Sequence, residues 1–265
     1  EKNPVIQYLY AQEKKMYRRS DAIVFSMEGG KKYIQEKKWD HAVDLNKVFS
    51  INNGLDVELQ DEQRREYRLD DSDLTDSCFK VIYAGSIRTA NSLDLLVQAA
   101  ELLKEKTNIR FLIYGDGDKR EELERYCAER EISSVKFKGS IDKKYIPYVC
   151  AMANVNVISV KQTRISRYGV SWNKLFDYMN AGKPILSTAK VNYDLIEKYE
   201  CGISLENQLP QTIAAAVLQI YEMPPEDYAR MCDHAKQAAK DFDYSYLTTK
   251  LEKVMVYAVE HYGKR

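Results

Sequence analysis

"FKVIYAGSIRTANSLDLLVQAA" (79–100) is the stretch whose reading decides the fold. Its first seven residues, 79–85, are a strand that is apolar on both faces and stops at Gly85. Such a strand belongs inside a parallel sheet covered on both sides, because a half-exposed strand would alternate apolar and polar residues. A short loop follows, and then a helix over 91–105.

The unit repeats outward from there. "IRFLIYGDG" (109–117) is a strand followed by a charged helix over 118–130. "VKFKG" (135–139) is a strand followed by a helix near 142–152, and "VNVISV" (155–160) is a strand. "KPILST" (183–188) is a strand, "NYDLIEKYE" a helix, "CGISL" a strand, and from 210 the chain is helical to its end. Strands alternating with helices predict a doubly wound α/β domain with right-handed crossovers. Upstream, residues 5–19 read as an amphipathic helix, "DAIVFSM" (21–27) as a short buried strand, and "NKVFSINNGLD" (46–56) as a strand closed by an Asn-Asn-Gly turn. The polar tract 57–77 reads as a linker or surface helix and is the best domain boundary.

Composition excludes several classes. Forty basic and forty acidic residues cancel, so nothing predicts bulk binding to nucleic acid. No run of eighteen apolar residues exists, and the start carries no signal-peptide pattern. Cys78, Cys127, Cys150, Cys201 and Cys232 are scattered, which suits reduced thiols in a cytoplasmic protein rather than a zinc site. His41, His234 and His261 lie far apart, with no nucleophile motif beside them.

Ligands of such a sheet bind outside the carboxyl ends of its strands. Three strands end there in glycine, Gly85, Gly115 and Gly139. Each glycine either permits a turn or lets a ligand approach the backbone, and three on one rim favour a pocket. Asp116 and Asp118 form a DxD pattern, but their place between strand and helix suits turn and cap residues better than ligands of a metal. The loop 84–92 offers backbone N–H groups and Arg88 to a phosphate, or is simply a solvent-facing loop.

"YGVSWNKLFDYMNAGKPI" (168–185) reads as a loop, a helix, a glycine stop and a strand, with Ser171 as N-cap and Gly182 closing the helix. Leu175, Phe176 and Met179 share one face and belong to the core. Asn173, Asp177 and Asn180 form a polar stripe on another. That stripe faces either a crevice or water. In a crevice, Asp177 would accept hydrogen bonds from a ribose diol, and Lys174 near the helix start would meet a diphosphate.

"YAGSIRTANSLDLLVQAA", "FLIYGDG", "VKFKGSI" and "NKLFDYMNAGKPIL", in this order and spacing, resemble the donor-binding half of GT-B glycosyltransferases of family 4. The resemblance implies a Rossmann-like C-terminal domain of GT-B type with a remnant of a second Rossmann-like domain. Residues 1–56 would be the closing segment of an acceptor domain, 57–77 a linker, 78–245 the donor-binding domain, and 246–265 a helix packing back. The chain opens on Glu1 without a methionine, as after removal of a leader or in a fragment of something longer; by the resemblance, in which only the second domain is complete, it is expected to lack most of the acceptor domain and to bind donor without transferring sugar by itself. The implied activity is retaining transfer from a nucleotide-sugar, with a UDP-sugar as the expected donor and neither metal nor cofactor. The acceptor would be a saccharide or a lipid-linked one in bacterial surface polysaccharide synthesis. That work would take place in the cytoplasm at the inner face of the membrane. The first helix, with Tyr10, Lys14, Lys15, Tyr17, Arg18 and Arg19, either touches anionic lipid or packs on the rest of that domain. Alternatives are a non-catalytic nucleotide-sugar binding module and a sugar-nucleotide epimerase of the same fold.

By the same resemblance, Asp177 stands where the family's second glutamate of E-x7-E binds the ribose, and Gly169 stands where the first would be. The backbone amides of Gly169, Val170 and Ser171 are candidates to substitute for it. The family's G-R-L-x-x-x-K phosphate pattern falls on Gly85, Ser86, Ile87 and Asn91, so Arg88 and Lys174 become the candidates for diphosphate charge. Gly139 and Ser140 match the region that recognises the base. No catalytic residue is assigned.

Overall fold

The computed structural model describes residues 3–262. The chain begins with helix α1 (Pro4–Arg19), capped by the Asn3 side chain and ending on Arg18 and Arg19, where cations oppose the helix dipole favourably. A small parallel pair follows, β1 (Ile23–Phe25) and β2 (Val48–Ser50), with α2 (Gly30–Glu36) between them. Their apolar cluster centres on Ile34, Trp39, Val43 and Val48. Tyr10 and Tyr17 of α1 pack edge-on against Trp39, with ring centres 6.2 and 6.1 Å apart.

The polar tract beyond is ordered as α3 (Val57–Glu66) and α4 (Ser72–Thr75). Asp56 caps α3 through the Leu59 N–H, and Asp71 caps α4. The main sheet then builds from β3 (Phe79–Ala84), α5 (Leu93–Leu102), β4 (Ile109–Tyr114), α6 (Arg120–Glu129), β5 (Val135–Gly139), α7 (Ile146–Ala151) and β6 (Val155–Ile158). It continues through α8 (Asn173–Ala181), β7 (Ile185–Ser187), α9 (Leu195–Lys198) and β8 (Gly202–Ser204). Three helices close the chain, α10 (Pro210–Tyr221), α11 (Pro225–Lys240) and α12 (Tyr244–Tyr262).

All six strands of the main sheet are parallel, in the order β5-β4-β3-β6-β7-β8. Alternation within β3 shows why the sheet is covered twice. Val81 and Tyr83 join the core beneath α5, α6 and α10, while Ile82 and Ala84 join the core beneath α7, α8 and α11. Phe176 of α8 is fully buried and lies 4.7 Å from the Phe242 ring. Burying a side chain of that size contributes on the order of 1.5–3 kcal/mol. Gly182 ends α8 at φ +66°, a left-handed cap where glycine carries no Cβ penalty. The doubly wound parallel sheet therefore stands as expected, and the strand order reverses between β3 and β6.

The small sheet and the large one are joined at several points. Leu55 forms an isolated bridge with Asp243, and the Phe49 ring of β2 meets Tyr257 of α12 at 5.1 Å. The Gly29 N–H donates to the Tyr168 carbonyl at 2.8 Å. No helix among the described residues is long and apolar enough to cross a membrane.

Candidate functional site

The strand order reverses between β3 and β6, and open parallel sheets bind ligands at such a point, beyond their carboxyl edge. Three glycines line that edge as a rim and are tied by main-chain hydrogen bonds. Gly85 donates to the Tyr114 carbonyl at 2.9 Å, and Gly115 donates to the Gly139 carbonyl at 2.7 Å. Gly115, at φ +140°, is required by close approach: a Cβ there would sit 1.8 Å from the Gly85 carbonyl oxygen. The loop after β3 is fastened from below, since Ile87 N–H donates to the Asp116 carbonyl and Lys119 N–H to that of Ile87. Tyr83 Oη and Asn91 Nδ2 both donate to the Ser86 carbonyl, at 2.8 and 2.6 Å. Arg88 and Ser140 are exposed on the same side of the sheet, each just beyond a strand end.

The first turn of α8 brings Lys174 to this rim. Its Nζ lies 3.2 Å from the Tyr83 hydroxyl and 4.3 Å from the centre of that ring. A Cβ at Gly85 would come within 2.7 Å of the same amine. Burial pushes the Lys174 pKa down to about 8, opposed by the nearby Cys150 and Asp177. Lys174 forms no ion pair among the described residues, so its amine is a half-buried cation facing main chain and a phenol. Such a cation attracts an anion strongly once water is excluded.

Asp177, one turn further on, is raised above the usual aspartate range by burial, against the Gln60 hydrogen bond and the charges of Lys143 and Lys174. Gln60 Nε2 donates to Asp177 Oδ1 at 2.5 Å. Asn180 is buried and bonded to Gln60, Asp61 and Lys236. Asn173 accepts from Asn53 Nδ2 at 3.0 Å. The polar stripe of α8 therefore runs from exposed Asn173 through half-buried Asp177 to buried Asn180. The turn at Asn53, helix α3 and helix α11 each bond to one part of it.

Two cap assignments are corrected. The N-cap of α8 is Trp172, without a side-chain bond. Ser171 Oγ instead accepts the Asn53 N–H at 2.7 Å, because the incoming turn offers a closer donor than the helix does. Asp116 bonds to the Gly117 N–H within its turn, and the N-cap of α6 is Lys119. Neither Asp116 nor Asp118 caps the helix. No group of three or more His, Cys, Asp or Glu residues among those described is arranged to hold a metal ion.

Gly169, at φ +92°, opens the loop that runs into α8, and Val170 behind it is buried. Across that loop stands Glu28, just past the end of β1. Asn53, Gln60, Tyr83 and Glu28 were not singled out from the sequence. Asn53 reads there as part of a turn and Gln60 as part of a polar tract, and only tertiary folding lays them against α8.

Residues 78–223 match the family described as "Glycosyl transferases group 1". Alpha-D-kanosaminyltransferase of Streptomyces kanamyceticus is 27% identical over 178 residues, 66% of this chain and 42% of that protein. Among solved structures, Anabaena HepE in complex with UDP and glucose is similar with a TM-score of 0.69 at 15% identity, covering 91% of this chain and 64% of that one. The pneumococcal O-GlcNAc transferase GtfA, in complex with UDP and GlcNAc, gives 0.67 at 18% identity, covering 94% and 47%. Sucrose-phosphate synthase from Thermosynechococcus elongatus gives 0.70 at 17% identity, covering 94% and 61%. The chain thus spans between 42% and 64% of the length of these proteins. At such identities the structural matches establish the shared fold.

Proposed function

The chain belongs to the glycosyl transferases of group 1, and from that premise we propose that its glycine rim binds the diphosphate of a nucleotide-sugar donor. The observation that carries this reading is Lys174: a half-buried amine without an ion pair among the described residues, beside Gly85 at the point where strand order reverses. A diphosphate supplies the charge that this cation lacks, and the N–H groups of Ser86 and Arg88, which are not spent in the main-chain bonds that fasten Gly85, Ile87 and Gly115, supply the donors. Asp177 is the acceptor for the ribose, reached once Gln60 yields its bond.

The donor in this proposal is a UDP-sugar, supported by the UDP complexes of HepE and GtfA. The reaction is retaining transfer to a saccharide or lipid-linked acceptor in surface polysaccharide synthesis on the cytoplasmic side, with no metal required. The family resemblance supports that part. Calorimetric titration with UDP, UDP-glucose and uridine tests the core of it. UDP should bind at least tenfold more tightly than uridine, since one charged hydrogen bond is worth about 1.5–3 kcal/mol. Equal weak binding of both would remove the diphosphate site.

A further inference from the structure

Tyr83 is fully buried in β3, two residues before Gly85, and its hydroxyl is bonded in both directions. It donates to the Ser86 carbonyl at 2.8 Å and accepts from the Lys174 amine at 3.2 Å. The direction of that chain is forced, because an ammonium only donates and a carbonyl only accepts. The phenol ring lies beneath the same amine, which stands 4.3 Å from its centre. Gly85 completes the cluster: a Cβ there would lie 2.7 Å from the amine and 3.1 Å from the hydroxyl. A buried phenol needs a partner, and the Ser86 carbonyl already provides one. The bond to Lys174 is additional, and it holds a long side chain that would otherwise move freely.

Both ends of the peptide between Ser86 and Ile87 are fastened. Its carbonyl accepts from Tyr83 Oη and Asn91 Nδ2, and its N–H donates to the Asp116 carbonyl. The Ser86 N–H enters no main-chain bond among the described residues. Across the hydroxyl, the Lys174 amine has no other hydrogen bond or ion pair among the described residues, so its remaining N–H groups are open to an acceptor. Through Gly85 the amine lies within about 7 Å of the Ser86 nitrogen. Hydrogen bonds of about 2.8 Å to two oxygens of one phosphate cover that separation. Donors held in place beforehand lose less freedom when a ligand arrives.

We propose that Tyr83 is a positioning residue of the diphosphate site: its hydroxyl holds the Lys174 amine against the Gly85–Ser86 turn, so that the amine and the Ser86 N–H meet one phosphate group of the donor. The inference rests on the reading of the glycine rim as a diphosphate site. Tyr83 acts through Lys174 and does not itself touch the ligand.

The test is a double-mutant cycle read by calorimetric titration with UDP and with uridine. It uses the wild type, Tyr83→Phe, Lys174→Met and the two changes together. Phenylalanine keeps the buried ring and removes only the hydroxyl. Tyr83→Phe should lose about threefold to tenfold in UDP affinity, the range of one hydrogen bond, and keep its uridine affinity. In the Lys174→Met background the same change should cost UDP little further, because Asn91 still holds the Ser86 carbonyl and no amine is left to position. The fall of UDP affinity at high pH should begin lower in Tyr83→Phe, since the amine loses a bond that favours its charged form. Cys150 of α7 and Asp177 of α8, the other titratable groups acting on the amine, are the same in both chains. Undiminished UDP affinity or an unmoved pH profile in Tyr83→Phe would overturn the proposal and leave the diphosphate site standing. An equal loss in both backgrounds, or a loss shared by UDP and uridine as a merely structural role requires, would do the same. A wild type that binds uridine as tightly as UDP would remove both.

Discussion

Gln60 Nε2 donates to Asp177 Oδ1 at 2.5 Å, so the side chain proposed to meet a ribose is occupied by a residue of α3. The bond joins α3 to α8 over a half-buried carboxylate. A ligand that takes Asp177 must displace the Gln60 amide, and only the difference between the two bonds remains as affinity.

Removing the competitor should help the ligand. Gln60→Ala is expected to tighten UDP binding severalfold, and Asp177→Ala to weaken it for UDP and uridine alike. Calorimetry on the two variants measures both. Unchanged affinity in Asp177→Ala with intact circular dichroism would move the ribose elsewhere.

Asp177 should also trade stability for binding. Its folded pKa is raised above its ordinary value. The folded state therefore binds the proton more readily, and stability from this group falls as pH rises through the window above the ordinary value. Asp177→Asn removes the charge and should melt higher than wild type at pH 7 while binding UDP more weakly. A lower melting temperature at pH 7 would contradict the burial cost.

Lys174 sets a pH dependence of its own. Its folded pKa, about 8, lies below the unfolded value of 10.5. Holding it protonated costs stability in full below about 8, and that cost fades as pH rises toward 10.5, so stability from this group increases across that window. Binding of a diphosphate runs the other way, since it needs the charged amine. UDP affinity should be level below pH 8 and then fall by at most about tenfold per pH unit. Lys174→Met should bind UDP weakly with no such bend. A wild-type profile that stays flat to pH 9.5 would separate Lys174 from the phosphate.

The expected independence from metal is checked by titrating UDP with and without EDTA. Asp116 is bonded inside its own turn. Chelation should leave the affinity unchanged, and a tenfold loss would restore the aspartate pair as a metal site.

How much of this was legible in advance depended on how local the cause was. The strands were readable because Val81, Ile82 and Tyr83 are apolar on both faces, a pattern that only a covered parallel sheet satisfies. Lys174 was legible only as a cation in the first turn of a helix; its place beside Gly85 and Tyr83 was not, because both lie far away in sequence. Ser171 was misassigned as a cap because its true partner, the Asn53 N–H, lies far away in sequence. Gln60 and Glu28 were hidden for the same reason. A glutamine in a polar tract and a glutamate after a short strand look like solvated residues until α3 and β1 are placed against α8.

The rim at Gly85, Gly115 and Gly139 is drawn by main chain, with hydrogen atoms where other residues have side chains. Its outline is therefore written in the spacing of peptide groups rather than in side-chain identity. Drift in the surrounding residues can alter what lies against the rim without redrawing the rim itself. A single methyl group at Gly115 would erase it, because that methyl would overlap the neighbouring peptide oxygen at 1.8 Å.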